Sequence, residues 1–559
     1  MSKQLKPFEN IGLCFSGGGY RATFFALGIV SYLEQVSYNH KTLLESVKAL
    51  STVSGGTLLG VGFSKALQDD DYRFESFFNR FYQTFIPEND KLLENAVAKL
   101  ENDTVWKTNP YKKRSLINSF ALTYANMPVF EGTMKLFKKS EIKQLDQVCF
   151  NATDFSFGLT YRFQNEGYFG NTPLYKKYQK QINPLRNEIV LGDVIASSSC
   201  FPVGFEPMVF PDDYVQDHAS PKYKNLKGLD TFIDGVGIMD GGIADNQGIG
   251  SMMLINERMK NSLNLIIVND VGSYKMPPWQ QETSEIGKSS TVQRTINKVL
   301  QYFTVKPLYL IILLIGLIMI MANSFFQIEE RAWTGMYILG SIILGMGITL
   351  SILGVVAFII KSFTLSRLKA LFNKNVPESL LDDVLTFQKL DISLVQRMLS
   401  ERISSASKMI NEVFLKQMRR LNYDLFYSKD SLENKRITAT IYKLNGQKTP
   451  YNNDCSSLNK KIKPLPSHIL KSVSLTASEM PTTLWWSKED VAKNRMDTLI
   501  ACGQFTLCYE LMDYILTLKE DTVLYDAYGT DLNTLFNTLN DHWKAFNKNP
   551  LWLMEKLKN

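Results

Sequence analysis

The sequence predicts an α/β fold with a largely parallel central sheet, an inserted two-helix transmembrane hairpin and a mostly helical C-terminal region. Short apolar strands alternate with helical stretches over residues 1–300, two long uncharged runs occupy the middle of the chain, and helical periodicity dominates its last third. At 559 residues the chain exceeds one ordinary domain and has length for a large core. Apolar residues make up 45% and charged residues 21%, a globular balance that excludes wholesale disorder.

Residues 11–15 are an apolar strand running into a glycine turn, and residues 20–35 come next as a helix. Residues 47–53 are a second strand, feeding a small-residue turn and a helix through Leu59 and Phe63. Further strands are expected at 155–159, 188–191 and 265–268. Such alternation builds a layered α/β domain whose site gathers at the carboxyl ends of its strands. Residues 72–86 place Phe74, Phe77, Phe78, Phe81, Tyr82 and Phe85 at helical spacing. That pattern reads first as core packing and second as a lid against lipid.

No charge interrupts residues 307–328 or 332–360, and each run is long enough as a helix to cross a hydrocarbon core of about 30 Å. The reversal at 327–332 leaves no room for more than a tight turn, so both flanks lie on one side. Arg294, Lys298, Lys306, Lys361, Arg367 and Lys369 gather at the outer ends, which predicts cytosolic flanks and residence in the inner (cytoplasmic) membrane. Gly340, Gly345, Gly347 and Gly354 suit close helix approach. Beyond the hairpin, Ile392, Val395, Leu399, Ala406, Ile410 and Val413 predict an amphipathic helix to about Leu421. A polar stretch, 427–466, holds one expected strand at 436–444, and the chain ends helical. The expected domains are therefore 1–300, 305–361 and 362–559.

The net charge of +7 is scattered over short clusters such as Lys112-Lys113-Arg114, without the dense stripe that a nucleic-acid groove needs. Such clusters suit an anionic membrane surface, or are ordinary solvated faces. Six cysteines lie far apart with no CxxC pair, which argues against a disulfide framework or zinc site and for a reducing compartment. No calcium loop or metal cluster is visible, so no metal and no cofactor are expected. The N-terminus has no signal-peptide apolar stretch. The sequence fixes no oligomeric state.

Three local patterns carry chemistry. In Leu13-Cys14-Phe15-Ser16-Gly17-Gly18-Gly19-Tyr20-Arg21-Ala22, three glycines between strand and helix expose backbone N–H groups at a positive helix end, a nest for a phosphate or a transient oxyanion. In Ser51-Thr52-Val53-Ser54-Gly55-Gly56, Ser54 sits on a sharp strand-to-helix turn, the nucleophile-elbow arrangement, with Thr52 where G-x-S-x-G has its first glycine. In Asp240-Gly241-Gly242, a carboxylate precedes a tight turn that can bring it to another loop. Asp234-Gly235 is the rival carboxylate.

Together these resemble the patatin-like phospholipase family over roughly residues 8–270, in the family's order of glycine-rich loop, serine and Asp-Gly-Gly. The run 150–154 resembles its central strand entry, and Ala196-Ser197-Ser198-Ser199-Cys200-Phe201-Pro202 its A-S-S-A-x-P segment. The region beyond 362 resembles, more loosely, the extension of larger bacterial members.

The resemblance implies a three-layer sandwich and a Ser54–Asp240 dyad without histidine. None of the four histidines (His40, His218, His468, His542) sits in a turn motif. It further implies an oxyanion hole from Gly17, Gly18 and Gly19, with Arg21, Gly55, Gly241 and Gly242 in support. Arg21 braces the loop or faces lipid phosphate. The expected partner is a membrane lipid substrate, phospholipid or lysophospholipid first, met by a protein integral to the membrane through residues 307–360.

Two other readings compete. Gly17-x-Gly19-x-x-Ala22 fits a dinucleotide fingerprint, but the next strand ends in Val53-Ser54-Gly55 instead of an acidic residue. An inactive membrane scaffold would have no need of Ser54, Asp240 and the glycine loop together.

Overall fold

The computed structural model describes residues 5–171, 175–202, 204–272, 307–325, 335–352, 355–356, 392–447 and 461–558. The chain divides into two compact units, Met1–Pro277 with Ser407–Asn559, and Pro278–Ala406.

The first unit is built on a sheet with strands β1 (Ile11–Phe15), β4 (Val47–Val53), β5 (Gln147–Asp154), β6 (Leu159–Gln164), β7 (Met208–Phe210), β8 (Val236–Asp240), β9 (Leu265–Asp270) and β10 (Arg436–Thr440). The ribbon β2 (Ser37–Tyr38) and β3 (Lys41–Thr42) stands apart. The order is β10-β9-β1-β4-β5-β8-β7, with β6 beside β5. Neighbours from β10 to β5 are parallel, and β6, β7 and β8 join antiparallel. Strands β1 and β9 are apolar runs buried on both faces, as a covered parallel sheet requires.

Alternate side chains of these strands enter two separate cores. Leu13, Phe15, Leu50 and Ile267 join the larger. Cys14, Ala49, Cys149 and Ile266 join a smaller one with Ile249, Met252 and Phe426. Helices therefore cover both faces in a three-layer arrangement. Helix α1 (Gly19–Gln35) packs against the helix Arg495–Leu518, and a Cβ at Gly28 would stand 2.0 Å from the Ile500 carbonyl. The C-terminal region supplies both this helix and the edge strand β10, so it completes the same sheet and core.

Several elements fall elsewhere than the sequence suggests. Residues 155–158 form the turn between β5 and β6, so of the strand expected at 155–159 only Leu159 lies in a strand, as the first residue of β6. Asp154 Oδ1 accepts from the N–H groups of Ser156 and Phe157, and Gly158 takes φ 67°, which ends the strand. Residues 188–191 supply only a single bridge, Thr133 with Val190, before the helix Leu191–Ser198 begins. The strand expected over 436–444 stops at Thr440. The aromatic helix Phe74–Phe85 buries Phe74, Phe77, Phe78, Phe81 and Phe85, which settles it as core. The amphipathic helix runs as Ile392–Lys408, a π-helical turn Met409–Phe414, and Leu415–Ser428.

In the second unit, helices Pro307–Phe325 and Gly335–Ile352 pair antiparallel. A Cβ at Gly316 would meet the Leu344 backbone at 2.5 Å, one at Gly340 the Met319 side chain at 2.9 Å, and one at Gly347 the Leu313 backbone at 2.8 Å. A Cβ at Gly345 would meet nothing within 4 Å among the described residues. Among the described residues one helix, Gly335–Ile352, is long and apolar enough to cross a membrane, with mean hydropathy 1.8 and 11% burial. Pro307–Ala322 is a shorter apolar helix. The reversal at 327–332, Gly354 and the six flanking cations lie outside the described residues.

Candidate active site

The site arises where two strands share one lane of the sheet. Strand β4 pairs along β5 up to Val53 opposite Asn151, and β8 takes over the same edge with Asp240 opposite Ala152. Consecutive positions on β5 thus set the ends of β4 and β8 head to head. The turns at these two strand ends, 186 positions apart in sequence, bring Ser54 Oγ to 2.7 Å from Asp240 Oδ2, the serine donating. The pair is enclosed, with Ser54 8% and Asp240 7% exposed.

Ser54 occupies φ 51°, ψ −123°, a conformation L-residues avoid, between β4 and helix α2 (Gly55–Ala66). Such strain persists only when surrounding contacts over-determine it. Its N–H donates to Ser198 Oγ at 2.8 Å, while the Ser198 hydroxyl donates to the Asn151 carbonyl at 2.6 Å. The glycines after the serine answer to close approach. A Cβ at Gly55 would stand 2.0 Å from the Gly19 carbonyl and one at Gly56 2.6 Å from that of Phe15. Thr52 has its own accommodation: its hydroxyl bonds Thr57 Oγ1 at 2.9 Å, and its methyl fills the space of the missing Gly60 side chain.

Asp240 is fixed through both carboxylate oxygens, Oδ2 by Ser54 and Oδ1 by the Gly242 N–H at 2.7 Å. Its N–H donates to the Cys200 carbonyl, and Gly241 N–H donates to that of Ser198 at 3.2 Å. Burial raises the Asp240 pKa from 3.8 to about 6, while the bonds from Ser54 and Gly242 oppose the rise. The rival Asp234 is exposed in the preceding turn.

The glycine loop lies against the serine, with a Cβ at Gly17 falling 3.1 Å from that of Ser54. Of its three amides, Gly17 N–H is already committed to the Asn246 carbonyl at 2.8 Å. The N–H groups of Gly18 and Gly19 have no acceptor among the described residues and stand at the positive end of the 17-residue α1. Arg21 is engaged by the C-terminal region, donating from Nη1 to the Met480 carbonyl at 2.8 Å and more weakly to that of Ser478 at 3.5 Å. Burial lowers its pKa.

No imidazole partners Ser54 or Asp240 among the described residues. His218 stacks on Tyr223, His542 meets Tyr32, and His40 and His468 are exposed. No group of three or more His, Cys, Asp or Glu side chains forms a ligand set among the described residues.

Sequence reasoning misses Ser198, Asn151 and Asn246 as parts of the site. Asn151 is visible as an amide inside an apolar strand, and its side chain ties Ser51 Oγ and the Thr52 carbonyl beneath the elbow. Ser198 is marked only by the likeness of its segment, because nothing local says that its hydroxyl meets a backbone 144 positions away.

A parallel sheet with a serine elbow, a buried carboxylate and an amide nest is an arrangement chemically suited to ester hydrolysis. Residues 13–253 match the family model for patatin-like phospholipases, a span that holds the glycine loop, Ser54 and Asp240. The match supports a lipid acyl hydrolase domain of that general kind over residues 13–253. No curated protein matches the sequence.

Proposed function

We propose that this protein is a membrane-anchored serine lipid acyl hydrolase of phospholipase A or lysophospholipase type, working through a Ser54–Asp240 dyad. The observation that carries this reading is the enclosed 2.7 Å contact between the two side chains, formed by turns remote in sequence and without histidine. Ser54 Oγ attacks the ester carbonyl carbon as its proton passes to Asp240 Oδ2, which lies within transfer reach. The Gly18 and Gly19 N–H groups hold the oxyanion. Collapse breaks the ester C–O bond, and Asp240 returns the proton to the departing alcohol. Water then attacks the acyl-Ser54 carbonyl, again giving its proton to Asp240. Fatty acid leaves as the serine oxygen regains a proton.

The anchor is the apolar pair Pro307–Phe325 and Gly335–Ile352, whose glycine contacts and outward apolar side chains support a hairpin in lipid. A core helix of a soluble protein would be mostly buried, whereas Gly335–Ile352 is 11% buried. Anchoring keeps the cytosolic α/β part at a lipid surface at high effective concentration. The protein should therefore stay in the pellet through an alkaline wash and leave only with detergent. Release by alkali alone would rule out the anchor.

Incubation with total membrane lipids and mass spectrometry of the products should show free fatty acid and a deacylated lipid. Ser54→Ala should abolish both products while the protein folds and fractionates as before. Full activity in that variant would reject the mechanism.

A further inference from the structure

We infer that the segment 480–486, which lies outside the residues matching the family model, is a positioning element for the oxyanion loop. The inference rests on the catalytic reading above and assigns a role to the C-terminal region within it.

Four contacts place this segment on the loop. The Tyr20 N–H donates to the Thr483 carbonyl at 2.8 Å. A Cβ at Gly19, which sits at φ 56°, would stand 2.2 Å from the same carbonyl oxygen. Arg21 grips the Met480 carbonyl at 2.8 Å. The Trp486 ring packs on Tyr20 and Phe24 at 5.0 and 5.1 Å, and its indole N–H donates to the Phe85 carbonyl at 2.8 Å.

The segment is itself held at both ends. It emerges from the helix His468–Ser478, and Thr483 Oγ1 donates to the Trp485 carbonyl at 2.9 Å. It stops at a capping box in which Ser487 and Asp490 satisfy each other.

The loop is therefore clamped on either side of its available donors. Asn246 takes the Gly17 N–H, Thr483 takes the Tyr20 N–H, and the Gly18 and Gly19 amides stand between. A peptide flip there would remove a donor, and preorganised donors are worth more than ones that must be reoriented during the reaction. The clamp from 480–486 fixes which amides face the oxyanion, and it cannot be read from residues 13–253 alone.

Full-length Trp486→Ala and Trp486→Phe test this against a fluorophosphonate, whose phosphoryl oxygen occupies the oxyanion position. Trp486→Ala should lower kcat for ester hydrolysis about 10- to 100-fold, short of the roughly 100- to 1000-fold of a deleted oxyanion donor because the loop is loosened and keeps its amides, with KM within about twofold. The rate of Ser54 labelling should fall in parallel and the phosphorus resonance of the adduct should shift. Trp486→Phe should stay within about threefold of the wild type, because the ring that wedges the loop remains. Unchanged kcat per titrated Ser54 in folded Trp486→Ala would overturn the inference, as would a fall in folded fraction alone. If that variant does not fold, Arg21→Lys decides by the same readouts, with a wild-type labelling rate and resonance counting against the clamp. Failure of the wild type to label at Ser54 would overturn the catalytic reading instead.

Discussion

The turns that carry Ser54 and Asp240 do different physical work although they meet at one point. The serine turn is strained, with a positive φ at a side-chain-bearing residue, and is held from outside by Ser198. The aspartate turn is relaxed, with Gly241 at φ −64°, and adds to its outside contacts an internal bond from the Gly242 N–H to its own carboxylate. On the proposed mechanism, strain falls where the attacking oxygen must be thrust into the site, while the proposed base needs only enclosure. Ser198 spans both, its hydroxyl on the serine turn and its carbonyl on the aspartate turn.

Removing the proposed base should have the largest effect on this pairing. Asp240→Asn keeps the shape and loses the proton acceptor, so activity should fall by about 10³-fold or more in an ester-hydrolysis assay. The same change should stabilise the fold at neutral pH. The folded protein binds the Asp240 proton more tightly than the unfolded chain, with a pKa of about 6 against 3.8. This group's favourable contribution is therefore full below about 3.8 and is lost as pH rises through about 6. The unfolding free energy of Asp240→Asn relative to the wild type, read from thermal melts, should rise between those limits and then level, with a ceiling near 3 kcal/mol. A constant difference across that range would contradict the buried carboxylate.

Ser198→Ala should come next, because it withdraws the hydroxyl from the serine turn and leaves the carbonyl on the aspartate turn. Activity should drop about 10- to 100-fold through a misplaced nucleophile, and stability by about 1–3 kcal/mol through the unpaired Ser54 N–H. A full loss of stability with normal turnover of the folded fraction would instead make Ser198 a purely structural residue. Thr52→Gly should have the smallest effect. It restores the commoner elbow pattern but empties the contact over Gly60 and loosens β4, lowering stability by about 1 kcal/mol with activity within about threefold. Thermal melts and initial rates on one preparation separate the two.

The elements and residues that are legible in the sequence share a cause. Strands β1 and β9 carry continuous apolar runs and β4 holds Val47, Ala49, Leu50 and Val53 before a small-residue turn, while Ser54, Asp240 and the glycines announce themselves by local backbone demands. The hidden part is tertiary. Nothing in 47–53 or 236–240 says that these strands share one edge of β5, and that register alone makes the dyad contact. Strand β10 is visible as a strand but not as a partner of β9, and Pro481-Thr482-Thr483 reads as an ordinary polar turn. The strand expected at 155–159 runs against a signal present in the sequence itself, since Asp154 with Gly158 four residues on is turn chemistry.

The most direct measurement is the pH dependence of Ser54 labelling by a fluorophosphonate, in the wild type and in Asp240→Asn. Since Asp240 must be ionised to take the serine proton, the wild-type rate should rise with pH through an apparent pKa near 6 and then level, and Asp240→Asn should be slow with that rise absent. Labelling of Asp240→Asn at the wild-type rate, with the same rise, would contradict direct proton transfer between the two side chains.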